Sequence, residues 1–257
     1  MLFDLTGKVA IVTGASSGLG MDAAKSYAEH GADVAILARR KERLDELAKE
    51  ITASTGKKVL PIKCDVTSEK NCKEAVAQVL AKFGKVDILL NNAGYTTVGS
   101  VDALDDSQWD KEIALNIKGI IYMSKYCLEY MRKVKSGKII NISSINAFDA
   151  EKKYKNAKHP YNMSKSAVLG LTRGMAGTYA QENINVNAIC PGLFASELTE
   201  RMFASESYMA RCVERIPANR TGSQGELNGA IIFLSSEGSN YIHGQYLIVD
   251  GGLLINN

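Results

Sequence analysis

Short β-branched runs alternate with longer helical patterns along all 257 residues of this chain. The runs lack strict apolar–polar alternation, as expected of parallel strands that helices cover on both faces. Predicted strands are 8–13, 33–38, 59–63, 86–91, 137–143, 184–190 and 245–250, and predicted helices are 18–31, 40–55, 68–83, 107–135, 160–181 and 223–237. With no linker or repeat between them, the order predicts one α/β domain over 1–257, a doubly wound parallel sheet of seven strands flanked by helices.

Composition argues against several classes of protein. Lys plus Arg exceed Asp plus Glu by only three (31 against 28), so we expect neither a nucleic-acid nor a membrane partner. No run of 18 apolar residues predicts a membrane span, and the N-terminus does not resemble a secretory signal. The five cysteines are odd in number and widely separated, which predicts free thiols in the cytoplasm and no metal site.

The first predicted strand is followed by TGASSGLG, residues 13–20. Gly14 permits a tight turn, Gly18 lets the backbone approach a pyrophosphate, and Gly20 allows close helix packing. The next helix presents unpaired N–H groups and a positive dipole end to a phosphate. A plain strand-to-helix turn is the alternative, but the position after the first strand favours a dinucleotide site.

The second predicted strand ends at Ala38, where a site for NAD(H) usually has an acidic residue that binds ribose hydroxyls. Here Arg39 and Arg40 follow instead. A guanidinium suits a 2′-phosphate, and we expect no carboxylate there to repel it. NADP(H) is therefore favoured over NAD(H); the alternative is that both arginines only begin a solvated helix.

The third and fourth predicted strands end in CDV (64–66) and NNAG (91–94). Asp65 could accept from an adenine amino group, and Val66 could contact the ring. The small residues of NNAG let the backbone run close to a cofactor. Either motif alone is compatible with turn chemistry, but both stand at successive strand ends, where α/β sheets bind ligands.

The pattern Tyr-x-x-x-Lys occurs twice, as Tyr154–Lys158 and Tyr161–Lys165. A lysine one helical turn from a tyrosine favours the phenolate through its charge, so such a pair can act as an acid catalyst. Apolar residues recur at helical spacing after Tyr161, and Pro160 suits a first helical turn. Tyr154 stands in a charged run without that periodicity. We therefore assign the chemistry to Tyr161 and Lys165 and place Tyr154 in a solvated loop.

In this order the motifs TGASSGLG, CDV, NNAG, LNIKG, KIINISS, YNMSK, ICPG and VDGG resemble the short-chain dehydrogenase/reductase family across essentially the whole chain. The resemblance implies a Rossmann-like sheet of seven strands, a nicotinamide cofactor and a Ser–Tyr–Lys group assisted by Asn. The catalytic residues carried over are Asn116, Ser144, Tyr161 and Lys165. Residue patterns and resemblance together predict cofactor contacts at Gly14, Ser16, Ser17, Gly18, Leu19, Gly20, Arg39, Arg40, Asp65, Val66, Asn92, Ala93, Gly94, Tyr161, Lys165, Pro191, Gly192, Phe194 and Ser196.

The resemblance also implies individual roles. Asn116 matches the family asparagine that disturbs its helix and holds a water near the lysine. In KIINISS the family serine is the second, Ser144, and neighbouring strand side chains face opposite ways, so Ser143 should not face substrate. The backbone of Phe194 and the side chain of Ser196 are expected beside the nicotinamide carboxamide.

Two segments are candidates for substrate contact. DAEKKYKN (149–156) makes the serine-to-tyrosine interval longer than usual in the family; it is either a solvated bulge or a cleft rim that uses Lys152, Lys153 or Tyr154. The segment 193–220 is the expected substrate lid. Its apolar side chains could cover an apolar molecule or pack in a helix, and its arginines could bind a carboxylate or face water. Those side chains are Met202, Phe203, Tyr208 and Met209, and Arg201, Arg211 and Arg215.

The predicted function is NADP(H)-dependent interconversion of a secondary alcohol and a ketone. The opening FDLTGKVAIVTGASSGLG and the segment ARRKERL resemble the gluconate 5-dehydrogenase branch, which implies a keto-sugar acid such as 5-ketogluconate. A hydroxysteroid (bile acid) dehydrogenase is the alternative, and a non-catalytic dinucleotide sensor is less consistent with an intact catalytic set. Apolar residues beyond one stripe on the helices at 107–135 and 160–181 predict a homo-oligomer, a dimer or a tetramer.

Overall fold

A parallel β-sheet organises the structure, a computed structural model that describes residues 2–197 and 199–256, with only the backbone described for Arg201 and Asn256. Within those residues seven strands lie in the order β3-β2-β1-β4-β5-β6-β7. The strands are β1 (Val9–Thr13), β2 (Asp33–Ala38), β3 (Val59–Lys63), β4 (Ile88–Asn91), β5 (Gly137–Ile142), β6 (Ile184–Pro191) and β7 (Tyr246–Val249). All six strand pairs are parallel, so the predicted fold class is confirmed. Met1, Leu198 and Asn257, which fall in the predicted domain or lid, lie outside the described residues.

Helices flank both faces of the sheet. They are α1 (Gly18–Glu29), α2 (Lys41–Thr55), α3 (Glu69–Phe83), α4 (Asp106–Ile113), α5 (Gly119–Val134), α6 (His159–Tyr179), α7 (Glu200–Phe203), α8 (Glu206–Glu214) and α9 (Asn228–Ser235). The predicted helix at 107–135 is not continuous, because a π-helical segment, Ala114–Lys118, separates α4 from α5. Among the described helices, none combines the length and the apolar character that crossing a membrane requires.

The apolar core forms one layer on each face of the sheet. Val12 and Ile36 belong to the layer under α1, α2 and α9, whereas their neighbours Ile11 and Leu37 belong to the layer under α3 and α5. Successive strand residues face opposite ways, so both faces of β1 and β2 are buried. Burying one such side chain contributes about 1.5–3 kcal/mol. These layers hold the strand ends in fixed positions.

The order of the strands reverses between β1 and β4, which are neighbours although β2 and β3 come between them in the chain. In a doubly wound sheet the loops on either side of such a point diverge and leave a crevice at the carboxyl ends of the strands. TGASSGLG follows β1 and NNAG follows β4. The topology thus places the two glycine-containing motifs side by side.

Candidate active site

The loops after β1 and β4 approach so closely that only glycine fits at two positions. A Cβ on Gly14, which has φ +69°, would lie 2.8 Å from Ala93 Cα, and one on Gly20 would collide with Asn92 Nδ2. Asn92 Nδ2 donates to Thr13 O at 3.0 Å and so ties the loops together. The glycines therefore serve loop approach as well as any ligand, and the Asn92 amide is engaged within the protein.

The start of α1 is open to an anion. Ser17, its N-cap, makes no side-chain capping hydrogen bond, and Gly18 has a φ of +54°. The Ser16 and Ser17 hydroxyls accept from Arg40 Nη2 at 2.9 and 3.2 Å. Leu19 packs against the core beside α1. A guanidinium, two hydroxyls and a helix N-terminus thus converge, a combination that suits phosphate.

Arg40 is also paired with a carboxylate, so the expectation that no acid lies there was wrong. Arg40 Nη2 and Arg43 Nη1 lie 2.7 and 2.6 Å from the oxygens of Glu197, in the loop after β6. Hydrogen bonds from Arg40 and then Arg43 lower the pKa of Glu197 to about 2. Arg39 is exposed and makes no ion pair with the described residues. No local pattern indicated this contact, because 157 positions separate Arg40 from Glu197.

The ends of β3 and β4 place their predicted residues differently. Asp65 is half-buried, and its Oδ1 accepts from the backbone N–H of Thr67 at 3.0 Å. Val66 is buried against Gly119, where a Cβ would lie 2.9 Å from its Cγ2. A Cβ on Gly94 would lie 3.5 Å from Lys165 Nζ. Gly94 therefore adjoins the candidate catalytic lysine, whereas Asp65 and Val66 lie at the β3 side.

Tyr161 and Lys165 share one face of α6. Lys165 Nζ lies 5.5 Å from the centroid of the Tyr161 ring and donates to Ile142 O at 3.0 Å. Burial raises the pKa of Tyr161 to about 12, partly offset by the Ser144 hydroxyl. Burial lowers the pKa of Lys165 to about 8. Desolvation thus pushes each group toward its neutral form, and the nearby charges decide how far.

The two serines after β5 have different environments. Ser143 Oγ donates to the backbone oxygen of Lys165 at 2.8 Å and so fixes α6 to the strand end. Ser144 Oγ accepts from the Asn146 N–H at 3.1 Å. It is the Ser144 hydroxyl that interacts with the phenol of Tyr161. Ser144 therefore adjoins the phenol, whereas Ser143 fastens α6 to the end of β5.

Asn116 lies in the π-helical segment Ala114–Lys118 and is fully buried. Its Oδ1 accepts from Tyr95 N and its Nδ2 donates to Tyr95 O, both at 2.9 Å. The Asn116 side chain thus satisfies both backbone groups of Tyr95, in the loop after β4, as a neighbouring β-strand would. π-Bulges of this kind are frequent at functional sites.

Glu112 is a buried residue of this region that sequence reasoning missed. Its carboxylate oxygen Oε1 accepts from Asn116 Nδ2, and the side chain has no solvent exposure. The signal was present, because a residue four positions before Asn116 on a helix lies on the same face. A carboxylate on the helix face that carries Asn116 must either find hydrogen-bond partners or be buried at a cost in folding free energy.

A buried polar ladder supports the site from below, and sequence reasoning did not find it. Asn91 Nδ2 donates to Asn141 Oδ1 at 2.9 Å, and Asn141 Nδ2 donates to Thr172 Oγ1 at 2.9 Å. The ladder crosses from β4 to β5 to α6. Each such bond contributes about 1 kcal/mol, and a missing partner would cost more than that. The ladder fixes α6 against the strand ends.

The loop after β6 reaches back to the glycine turn. Pro191 is the last residue of β6, and a Cβ on Gly192 would collide with the backbone after β7. The Phe194 ring is buried. Ser196 Cβ lies 3.3 Å from the position of a Cβ on Gly18. The predicted contacts of this loop therefore lie beside the crevice.

The insertion at 149–156 forms a short 3-10 turn, and its tyrosine is 65% exposed. Tyr154 Oη donates to Asp102 Oδ2 at 3.1 Å, and Lys158 Nζ lies 3.5 Å from Glu151. Tyr154 is therefore on the surface, as predicted, and it lies apart from Lys165.

The segment predicted as a lid contains α7 and α8. Its four candidate apolar residues, Met202, Phe203, Tyr208 and Met209, are all half-buried. Arg215 Nη2 lies 3.3 Å from Asp149 Oδ2 and joins the segment to the insertion. The Arg211 guanidinium lies 5.9 Å from the Tyr208 ring centroid. The side chain of Arg201 lies outside the described residues.

Comparison with known proteins agrees with this geometry. A family model described as enoyl-(acyl carrier protein) reductase matches residues 14–254. A gluconate 5-dehydrogenase of Gluconobacter oxydans is 36% identical over 99% of this chain and 98% of its own, and a 3-oxoacyl-(acyl-carrier-protein) reductase of Thermotoga maritima is 37% identical over 98% and 99%. The crystal structure of a gluconate 5-dehydrogenase from Burkholderia cenocepacia, in complex with NADP and tartrate, superposes with a TM-score of 0.93 at 33% identity over 99% of this chain and 98% of that one. The chain belongs to the short-chain dehydrogenase/reductase family and is an oxidoreductase.

Proposed function

We propose that this oxidoreductase interconverts a secondary alcohol and a ketone with NADP(H), using Ser144, Tyr161, Lys165 and Asn116. The observation that carries the proposal is a half-buried tyrosine beside a buried lysine, with Lys165 Nζ 5.5 Å from the Tyr161 ring centroid and the Ser144 hydroxyl close enough to act on the phenol. An acid, a cation and a hydrogen-bond donor in one cleft are what proton transfer to a carbonyl oxygen requires.

The residues present fit a dinucleotide with a 2′-phosphate. Gly94 leaves its backbone accessible beside Lys165, and near the start of α1 the Arg40 guanidinium offers charge-assisted donors next to the Ser16 and Ser17 hydroxyls. The Burkholderia cenocepacia relative was crystallised with NADP. Arg40 pairs with the Glu197 carboxylate in this structure, so a 2′-phosphate would have to displace that carboxylate from the guanidinium.

When bound, the nicotinamide supplies the hydride. During reduction Ser144 donates a hydrogen bond to the substrate oxygen, and Tyr161 gives that oxygen its proton. The Lys165 ammonium lowers the cost of the phenolate that remains. Lys165 also binds the cofactor's ribose, which orients the reacting groups. Asn116 holds the loop after β4 against the π-helical segment, beside the lysine.

A keto-sugar acid such as 5-ketogluconate is the proposed substrate class. The Gluconobacter and Burkholderia relatives are both gluconate 5-dehydrogenases. We propose that the segment 193–220 covers the substrate and that exposed cations at the rim, Lys152, Lys153 and Arg211, attract its carboxylate.

The test is a substrate panel followed by NADPH absorbance. It contains 5-ketogluconate, related keto-sugar acids, a ketosteroid and a 3-oxoacyl thioester, each with NADPH and with NADH. The proposal requires keto-sugar acid turnover that is faster with NADPH. Faster turnover of the ketosteroid or the thioester would replace the substrate class, and a preference for NADH would replace the cofactor.

We also propose a homo-oligomer built through α5 and α6. Ile121 on α5 and Met163 on α6 are large apolar side chains that are about 40% exposed in the single chain. A partner covering those faces would bury them. Light scattering at micromolar concentration measures the mass directly, and a monomeric mass would refute the proposal.

A further inference from the structure

The carboxylate of Glu112 lies in the interior with neutral donors around it. Its Oε2 accepts from the Thr97 backbone N–H at 2.8 Å, and its Oε1 accepts from Ser164 Oγ at 3.1 Å and from Asn116 Nδ2. None of the described residues forms an ion pair with it. A buried carboxylate without such a pair costs several kcal/mol, so a structural role alone does not account for its presence.

The donors around Glu112 would stabilise its ionised form. The Thr97 N–H and the Asn116 Nδ2 amino group can only donate, and each is bound to one of the carboxylate oxygens. A protonated carboxyl would need an acceptor for its own hydrogen, and Ser164 Oγ could serve only if its own hydrogen went to Tyr161 O instead of Glu112. Burial raises the pKa of Glu112 above its ordinary value, and the bonds from Thr97 and Ser164 and the charge of Lys165 offset only part of that rise.

Lys165 is a buried cation, and a nearby negative charge would stabilise it. Its side chain is 4% exposed, and its ammonium donates to the carbonyl of Ile142. The charged or titratable groups that act on it are Glu112 from α4, Cys190 from β6 and Tyr161 from its own helix. Of the groups that raise its pKa, Glu112 has the larger effect.

Glu112 and Lys165 meet through a short bridge. Ser164, the neighbour of Lys165 on α6, donates to Glu112, and Asn116 is bound to the same carboxylate oxygen. Lys165 Nζ and Asn116 Oδ1 lie 3.5 and 3.6 Å from the position of a Cβ on Gly94. Glu112, Asn116 and Lys165 thus form one cluster, and all three residues are buried.

We propose that Glu112 is the buried counter-ion that keeps the Lys165 ammonium protonated, and that it acts on the reaction through that lysine as a positioning residue. The inference rests on the proposed function, in which a charged Lys165 is required beside Tyr161. It adds a carboxylate to the group of residues that the sequence motifs identify.

The effect on Tyr161 has two opposing parts. The negative charge of Glu112 acts directly on the phenol and raises its pKa. Through Lys165 it acts the other way, because a neutral lysine would give the phenolate no support. At and above neutral pH, loss of Glu112 would deprotonate Lys165. In that range the effect of Glu112 on Tyr161 through Lys165 outweighs its direct effect on the phenol.

The decisive experiment titrates the Lys165 ammonium by NMR of protein labelled with 15N-lysine. It needs no substrate, and the signal is assigned with Lys165→Met. We expect Glu112→Gln to lower the pH of half-protonation by at least about 1 pH unit, as loss of a close opposite charge does. The matched control, Asp110→Asn, removes the same charge from an exposed position on α4 and should leave the midpoint unchanged. An unchanged midpoint in Glu112→Gln overturns the proposal.

Kinetics give a second readout. In Glu112→Gln, kcat/KM for NADPH should fall roughly fivefold or more at pH 8 but recover at pH 6, where Lys165 is protonated without help. Equal losses at both pH values would mean a structural role only and would overturn the proposal. If no carbonyl is reduced by the wild type, the proposed function fails while the NMR titration still decides the role of Glu112.

A measurement on the wild type guards against a variant that does not fold. Infrared difference spectra of protein with 13C-labelled glutamate should show only carboxylate bands at pH 7. A protonated carboxyl band at that pH would identify a neutral buried glutamate and overturn the proposal.

Discussion

The two tyrosine–lysine pairs have the same spacing in the sequence and opposite surroundings in the fold. Lys165 is buried and its ammonium donates to a carbonyl, whereas Lys158 forms an ion pair with Glu151 at 3.5 Å. The Tyr161 phenol faces Ser144, whereas the Tyr154 phenol is exposed and donates to Asp102.

The difference shows that spacing alone does not make an acid catalyst. In the Tyr154–Lys158 pair, each polar group is already bound to a carboxylate, the phenol to Asp102 and the ammonium to Glu151. Around the buried Lys165, the lower dielectric constant strengthens the interaction between its positive charge and the Tyr161 phenolate. Burial and free hydrogen-bonding capacity separate the two pairs.

Replacing each tyrosine by phenylalanine tests this contrast most strongly. Tyr161→Phe should lower kcat by about 10³-fold or more, since it removes the proton donor, while NADPH binding changes less than twofold. Tyr154→Phe, the matched control, should keep kcat within about twofold. Stopped-flow hydride transfer and NADPH fluorescence titration measure the two quantities. Normal turnover by Tyr161→Phe would disprove the assignment.

A second pair of substitutions tests whether Ser144, and not its neighbour Ser143, acts with Tyr161 in the reaction. Ser144→Ala removes a hydrogen bond to the developing oxyanion and should lower kcat by about 10²-fold. Ser143→Ala should instead cost about 1 kcal/mol of stability, because its hydroxyl fastens the Lys165 carbonyl, with kcat within about threefold. Steady-state kinetics and urea unfolding separate the two effects. The reverse result would make Ser143 the catalytic serine.

The sheet was predictable because its signals are local. β-Branched runs and glycine turns stand next to the strands they define, and all seven predicted strands are present within the described residues. Local periodicity also placed Tyr161 on a helix and Tyr154 in a surface segment, and the structure has Tyr161 on α6 and Tyr154 65% exposed. Prediction of the helix at 107–135 was less accurate, because periodicity does not distinguish an α-helix from one with a π-segment at Asn116.

What the sequence did not reveal depends on contacts between distant positions. Glu197 meets Arg40 across 157 residues, and Glu112 meets Ser164 across 52. A loop pattern would place Glu197 at the surface, and the spacing of Glu112 from Asn116 shows only that the two share a helix face, not that Ser164 on α6 is a partner. The partners of a charged side chain are set by tertiary packing, so neither contact had a local signature.

The pH dependence sharpens the comparison further. Burial lowers the pKa of Lys165 to about 8, and the protonated form is the one that binds ribose and supports the phenolate. As pH rises through 8 the ammonium loses its proton, so kcat/KM for NADPH should fall, approaching tenfold per pH unit. The profile of the Lys158→Met variant should follow the wild type. A flat profile between pH 7 and 9.5 would contradict the value for Lys165.

The smallest expected effect concerns the exposed pair itself. Asp102→Asn weakens the acceptor of the Tyr154 hydroxyl on the surface and should change the free energy of unfolding by less than about 0.5 kcal/mol, as measured in urea. It should also leave kcat unaltered, because the contact lies on the insertion and not at Lys165. If Asp102→Asn lowered kcat or raised KM for a keto-sugar acid, the insertion would be part of the substrate cleft. Tyr154 would then contribute to substrate binding. Both tyrosine–lysine pairs would serve the reaction, the one at Tyr161 in proton transfer and the one at Tyr154 in binding.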